Sequence, residues 1–169
     1  MTQIRLRKLE KKDAPLMLEW MQEPSISCFF RFDAQSMTVQ DCEEFIKSAD
    51  NDTNSKHYAI VNEDDEYLGT ISLKNIDFEK KEAEYAISTR KKAHGTGAAM
   101  AATKEILRIA FEELKLEQVY LNVLKENGRA NAFYRKVGFQ SDYCEENGVE
   151  ICGEKKDLNW YSLAQNDRK

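Results

Sequence analysis

The sequence predicts a mixed α/β fold, one sheet of about seven strands flanked by about four helices, on three observations. Apolar periodicity switches between two and 3.6 residues along the chain in the order β α α β β β α β α β β. A strand, a glycine turn, a helix and a second strand follow one another from Glu82 to Leu124, which calls for a right-handed crossover between parallel strands. The length of 169 residues, with 41% hydrophobic and 33% charged side chains, suits one ordinary domain with a sizeable core.

Each element has a local reason. Ile4–Leu9 alternates apolar and charged residues, the pattern of a half-buried strand. Asp13 is the expected N-cap of the next helix, with Pro15 in its first turn and Leu16, Met17, Trp20 and Met21 on one face until Pro24. An aromatic connection, Ser25–Phe32, leads to Thr38, a second N-cap, ahead of Val39, Cys42, Phe45 and Ile46. His57–Val61 and Tyr67–Asp77 read as strands joined by an acidic turn, and Glu82–Ser88 follows as a third. Met100, Thr103, Leu107, Ala110 and Leu114 keep the period of the longest helix. Gln118–Leu124 is a buried-type strand, and Arg129–Val137 a short helix closed by Gly138. Phe139–Leu163 reads as two strands around an Asn147-Gly148 turn. Residues 1–164 form the expected domain and 165–169 a frayed tail.

The net charge of −5 argues against a general nucleic-acid binder, which carries a basic face. The opening residues have no apolar signal core and no run approaches a membrane span, so the expected setting is the cytoplasm. Cys28, Cys42, Cys144 and Cys152 form no CxxC and suggest reduced thiols; no metal is expected.

Against that acidic background, Arg90-Lys91-Lys92-Ala93-His94 runs into Gly95-Thr96-Gly97 and a helix. Helix N-termini present unpaired N–H groups and partial positive charge, and glycines allow close backbone approach, so the pattern suits phosphate oxygens. Lys92 and His94 would add charge. Met100 stands where a dinucleotide fingerprint needs a third glycine, and the GxxxxGK[ST] pattern is absent.

Two motifs then resemble those of the GNAT superfamily of acetyl-CoA-dependent N-acetyltransferases. Lys92-Ala93-His94-Gly95-Thr96-Gly97 is similar to its phosphate loop, Gln/Arg-x-x-Gly-x-Gly/Ala, with Lys92 departing at the first position. Asn127, Ala130, Tyr134, Gly138 and Phe139 match Asn-x-x-Ala-x-x-x-Tyr-x-x-x-Gly-Phe in full. The opening, with Trp20 just before Glu23-Pro24, looks like the branch of ribosomal-protein N-terminal and nucleotide-amino-sugar acetyltransferases.

The resemblance implies a mostly antiparallel twisted sheet with an acetyl-CoA cleft between splayed strands four and five. It implies that backbone N–H groups from His94 to Ala98 hold the pyrophosphate, that Ala86, Ile87 and Ser88 pair with the pantetheine arm, and that Asn127 and Ala130 flank it. Tyr134 is the implied general acid for the departing thiolate, and Glu84 the candidate base, directly or through water. Several peptide-directed relatives carry a glutamate where this chain has Asn122. The implied acceptor is a small amine, such as an amino sugar on a nucleotide carrier, or else a protein N-terminus. Trp20, Phe29, Phe30, Arg31, Phe32, Asn122, Tyr143 and Trp160 are its candidate contacts. A CoA-binding module without catalysis is the remaining alternative, and a homodimer is a weaker expectation.

Overall fold

The computed structural model describes residues 3–24, 34–151 and 153–167. Its sheet has the order β1-β2-β3-β4-β5-β7-β6. The strands are β1 (Arg5–Lys8), β2 (Lys56–Val61), β3 (Tyr67–Asp77), β4 (Glu82–Thr89), β5 (Gln118–Leu124), β6 (Gln140–Ile151) and β7 (Glu154–Ala164). The helices are α1 (Ala14–Met21), α2 (Val39–Ala49), α3 (Ala98–Arg108) and α4 (Gly128–Val137). Neighbouring strands are antiparallel, except that β4 and β5 run parallel on either side of the crossover helix α3.

Alternation divides the sheet into two faces. Ile71, Leu73, Tyr85, Val119, Leu121 and Tyr161 pack with Ala102, Ile106 and Leu107 of α3 and Tyr134 of α4. On the other face, Met17, Trp20 and Met21 of α1 and Cys42 and Ile46 of α2 cover Ala59, Val61 and Tyr67. The helical coverage of this second face therefore centres on the β2–β3 end.

The parallel pair is short. β4 meets β5 only from Glu82↔Gln118 to Glu84↔Tyr120. Beyond that, β4 stays with β3 out to Gly69↔Thr89, while β5 stays with β7 out to Leu124↔Leu158. The sheet parts there. Gly69 keeps the β3 side tight: a Cβ on it would lie 2.5 Å from the Ser88 carbonyl oxygen.

Four expectations change. Asp13 does not cap α1 with its side chain; its carboxylate accepts from the Glu10 N–H at 2.8 Å and from Arg7 at 2.8 and 2.9 Å. Asn147-Gly148 is not the hairpin turn. Asn147 does take a positive φ of 54°, but inside β6, where pairing with β7 slips between Glu145 and Val149. The strands continue to Ile151↔Glu154, with Gly153 at φ 82° in the connection. The long helix ends as an α-helix at Arg108 and continues as a π-type turn, Ile109–Glu113. Gln165–Asp167 form a 3-10 turn, anchored by the Gln165 N–H on the Glu117 carbonyl at 2.9 Å.

Candidate active site

The parted strands open a cleft of about 860 Å³. It is walled by Glu84–Thr89 of β4, the turn before α3, the end of β5 and the first turns of α4. Of the sequence-derived site residues, Glu84, Ala86, Ile87, Ser88, Ala93, His94, Gly95, Gly97, Asn122, Asn127, Ala130 and Tyr134 all line it.

The glycine turn sorts its N–H groups. His94 N–H bonds to the Lys91 carbonyl, Thr96 N–H to the Ala93 carbonyl, and Ala98 N–H to the Thr96 hydroxyl. These three N–H groups are used within the turn itself. Among the described residues, the N–H groups of Gly95, Gly97, Ala99 and Met100 have no partner, and all four residues line the cleft. Gly95 and Gly97 hold φ of 78° and 85°, which glycine adopts without strain. The open donors thus extend two residues further into α3 than the sequence suggested.

The basic run does not supply the cleft's charge. Arg90 bonds to both Glu19 oxygens at 3.1 Å, to Glu66 at 3.3 Å and to the Tyr67 carbonyl at 2.9 Å. Lys92 is held by the same Glu66, whose carboxyl lies below its usual range chiefly because of that bond. Lys92 is not on the cleft wall. His94 is on it, but burial, then Arg129 and Lys91, push its imidazole below the usual pKa, which favours the neutral form. Its Nδ1 lies 2.9 Å from Arg129 Nη1. Arg129, Lys136 and Lys74 are the cationic wall residues that sequence reasoning passed over. Arg129 lay inside the very motif that carried the resemblance.

Tyr134 sits at the cleft's inner wall, 8% exposed, in an aromatic cage of Tyr85, Phe133, Phe139 and Tyr161 with ring centres 5.6–6.1 Å away. Its hydroxyl has no hydrogen bond among the described residues. Because none of their fully buried polar side-chain atoms lacks a partner, that hydroxyl opens to the cleft. Burial pushes its pKa up, which keeps the phenol protonated at neutral pH. Its neighbour Phe133 is half-buried on the cleft wall. Tyr85 is the fixed partner beneath, its hydroxyl 2.7 Å from Thr103 of α3.

Asn127 caps α4, its Oδ1 accepting from the Ala130 N–H at 3.2 Å, so its Nδ2 is the group left for a ligand. Asn131, which the sequence reading did not single out, holds this corner together. Its Nδ2 donates to the Leu124 and Asn127 carbonyls, and its Oδ1 accepts from Tyr161 and Asn159. Its place three residues before Tyr134, on the same face of α4, was the available signal.

Glu84 lies on the opposite face from Tyr85, 21% exposed, with one oxygen 3.1 Å from Asn75 Nδ2 and the other 3.8 Å from Lys74 Nζ. Its surroundings are polar. On the same face, Glu84 pairs with Tyr120, Asn122 with Trp160, and Tyr143 with Trp160. The rings form a ladder: Tyr120–Trp160 centroids are 6.3 Å apart and Tyr143–Trp160 5.9 Å. Trp160 Nε1 donates to Glu145, and Tyr143 is 58% exposed. Trp20 is elsewhere: it is buried in the second core with Nε1 donating to Tyr67 at 2.8 Å, a packing residue and not a cleft wall. Phe29, Phe30, Arg31 and Phe32 lie outside the described residues.

A cleft of this build can seat an extended thioester along β4, hold its anionic end on free N–H groups and offer a protonated phenol to a leaving sulfur. The acetyltransferase (GNAT) domain family matches residues 3–140. Acetyltransferase PseH of Campylobacter jejuni is 26% identical over 162 residues, 96% of this chain and 92% of that protein. The spermidine N(1)-acetyltransferase of Escherichia coli is 29% identical over 80% of this chain and 72% of its own length. Putative ribosomal N-acetyltransferase YdaF of Bacillus subtilis is 31% identical over 62% of this chain and 57% of that one. In fold, the chain is similar to spermidine N-acetyltransferase from Vibrio cholerae, solved with CoA and spermine, at a TM-score of 0.88 and 22% identity over 98% of this chain and 97% of that one. The sheet, the splay and the two motifs are therefore those of an established enzyme class: the chain belongs to the GNAT acetyltransferase family and is an N-acetyltransferase.

Proposed function

We propose that the chain moves acetyl from acetyl-CoA directly to the primary amine of a small molecule, with a nucleotide-linked amino sugar as the first acceptor to test. The observation that carries the acetyl-CoA part is the convergence, in one cleft, of four unpartnered N–H groups, the run of β4 that has parted from β5 and the Tyr134 hydroxyl. The amine nitrogen forms the new bond to the acetyl carbon, the carbon–sulfur bond breaks, and the thiolate takes the Tyr134 proton. A backbone N–H near Ala86 or Ile87 bonds the developing oxyanion. The amine's proton leaves to water or to Glu84, whose Lys74 and Asn75 contacts suit relay through water more than direct abstraction.

Support for an amino sugar comes from the aromatic ladder beside Asn122, against which a sugar ring can pack. A second reading, a polyamine, is favoured by the carboxylates of Glu84, Glu82 and Asp77 around Tyr120 and by the spermidine-acetylating relatives. Thiol release with a panel of nucleotide-linked amino sugars, polyamines and N-terminal peptides separates these readings. Turnover confined to peptides overturns both small-amine readings, and acetyl-CoA binding with no turnover on any amine supports a non-catalytic module.

A further inference from the structure

Three cations around the phosphate turn and cleft already face a carboxylate: Arg90 with Glu19 and Glu66, Lys92 with Glu66, Lys74 with Glu84. Arg129 differs. It stands in the first turn of α4, exposed, on the cleft wall, and among the described residues it has no carboxylate partner. Its bond goes instead to the Nδ1 of His94, across the cleft on the phosphate turn. An imidazole accepts at Nδ1 only when that nitrogen is unprotonated. The contact therefore joins two walls of the cleft through a neutral acceptor, beside the open N–H groups of Gly95, Gly97, Ala99 and Met100.

Resting on the acetyl-CoA reading above, we propose that Arg129 is the residue that binds the cofactor's phosphate groups, and that His94 is a positioning residue that parks the guanidinium at the mouth of the cleft until phosphate replaces it. A guanidinium bonds phosphate through paired, charge-assisted N–H groups, which a neutral imidazole does not match, so the exchange runs towards the phosphate. The parking bond also keeps a long, entropically free side chain over the open donors. When Arg129 swings to the ligand, His94 loses the nearest cation and gains a nearby anion. The charged groups facing it are Arg129 from α4 and Lys91 from its own turn. Its proton affinity then rises on binding, so the complex takes up a proton and affinity strengthens as pH falls through the window between the free and bound values.

The test is calorimetric titration of wild type, Arg129→Gln and His94→Gln with acetyl-CoA and with S-acetyl-pantetheine, which lacks the phosphates, in buffers of different ionisation enthalpy. The expected result is an Arg129→Gln loss of about tenfold to a hundredfold in acetyl-CoA affinity, the range of one charge-assisted bond, with acetyl-pantetheine affinity unmoved. Proton uptake appears in wild type and disappears in His94→Gln. Equal weakening for both ligands would mean a structural role for Arg129 and overturns the proposal, as does unchanged acetyl-CoA affinity. Proton uptake that persists in His94→Gln removes His94 from it. Failure of wild type to bind acetyl-CoA at all overturns the underlying cofactor reading, a distinct result.

Discussion

The two walls of the cleft handle their polar groups in opposite ways. On the β4 side the charged side chains are satisfied within the fold: Arg90 and Lys92, which stand off the cleft wall, by Glu19 and Glu66, and Glu84, which lines it, by Lys74 and Asn75. What that wall leaves open is backbone. On the α4 wall the side chains are open: the Tyr134 hydroxyl, Asn127 Nδ2 and the Arg129 guanidinium, which lacks a carboxylate among the described residues. Chemical density along the sequence is thus a poor guide to what a ligand meets. A charge already paired in the native state is a structural element, and an unpaired donor beside it does the binding.

Substitutions that close the backbone donors of the β4 wall sharpen this contrast most. Gly97→Val places a β-branched residue at φ 85°, a strain of about 1–3 kcal/mol that the turn relieves by moving its N–H groups. At that cost acetyl-CoA affinity measured by calorimetry falls by about fivefold to a hundredfold, and a wild-type affinity would break the assignment. Gly69→Val acts on stability: its side chain must displace the Ser88 backbone, and overpacking of about 1–3 kcal/mol appears in urea melts. Glu84→Gln comes next. With Lys74 and Asn75 already on the carboxylate, kcat/KM falls towards the lower end of general-base effects, about a hundredfold or less. An unchanged kcat/KM assigns the proton to water alone. Lys92→Met is the small case. An exposed pair contributes about 0.2–1 kcal/mol, so acetyl-CoA affinity shifts less than about fivefold, and a larger loss would return the basic run to the phosphate site.

The smallest expected effect is away from the cleft. Lys12, then Arg7, hold the Asp65 carboxyl well below the usual carboxylate range. A group depressed in the folded state stabilises above its unfolded pKa of about 4, and that contribution is lost as pH falls towards the folded value. Asp65→Asn therefore makes stability less pH-dependent below about pH 4, read as midpoints of acid melts, with no change at the cleft.

Much of this was legible in the sequence because period and motif are local. β3 and β5 run over Tyr67–Asp77 and Gln118–Leu124, as alternation and buried runs indicated. Thr38 accepts from Asp41 N–H as an N-cap should. The misreadings share one cause, a local signal overruled by a competing partner. Asp13 left its cap position for Arg7 and Glu10. Asn147 kept its turn-like φ but was drawn into a longer ladder with β7, where its N–H bonds Asp157 at 2.9 Å. His94 lost its expected charge to burial and to an arginine 35 residues on.

The central claim is that the cleft carries out acetyl transfer with Tyr134 protonating the departing thiolate. Thiol release by Tyr134→Phe, compared with wild type at saturating acetyl-CoA and accompanied by calorimetric titration of both proteins, tests it most directly. The account predicts turnover lower by about 10²–10⁴-fold with nearly unchanged acetyl-CoA affinity. Unchanged turnover would remove Tyr134 from the chemistry, and no binding by wild type at millimolar acetyl-CoA would contradict the transfer reaction itself.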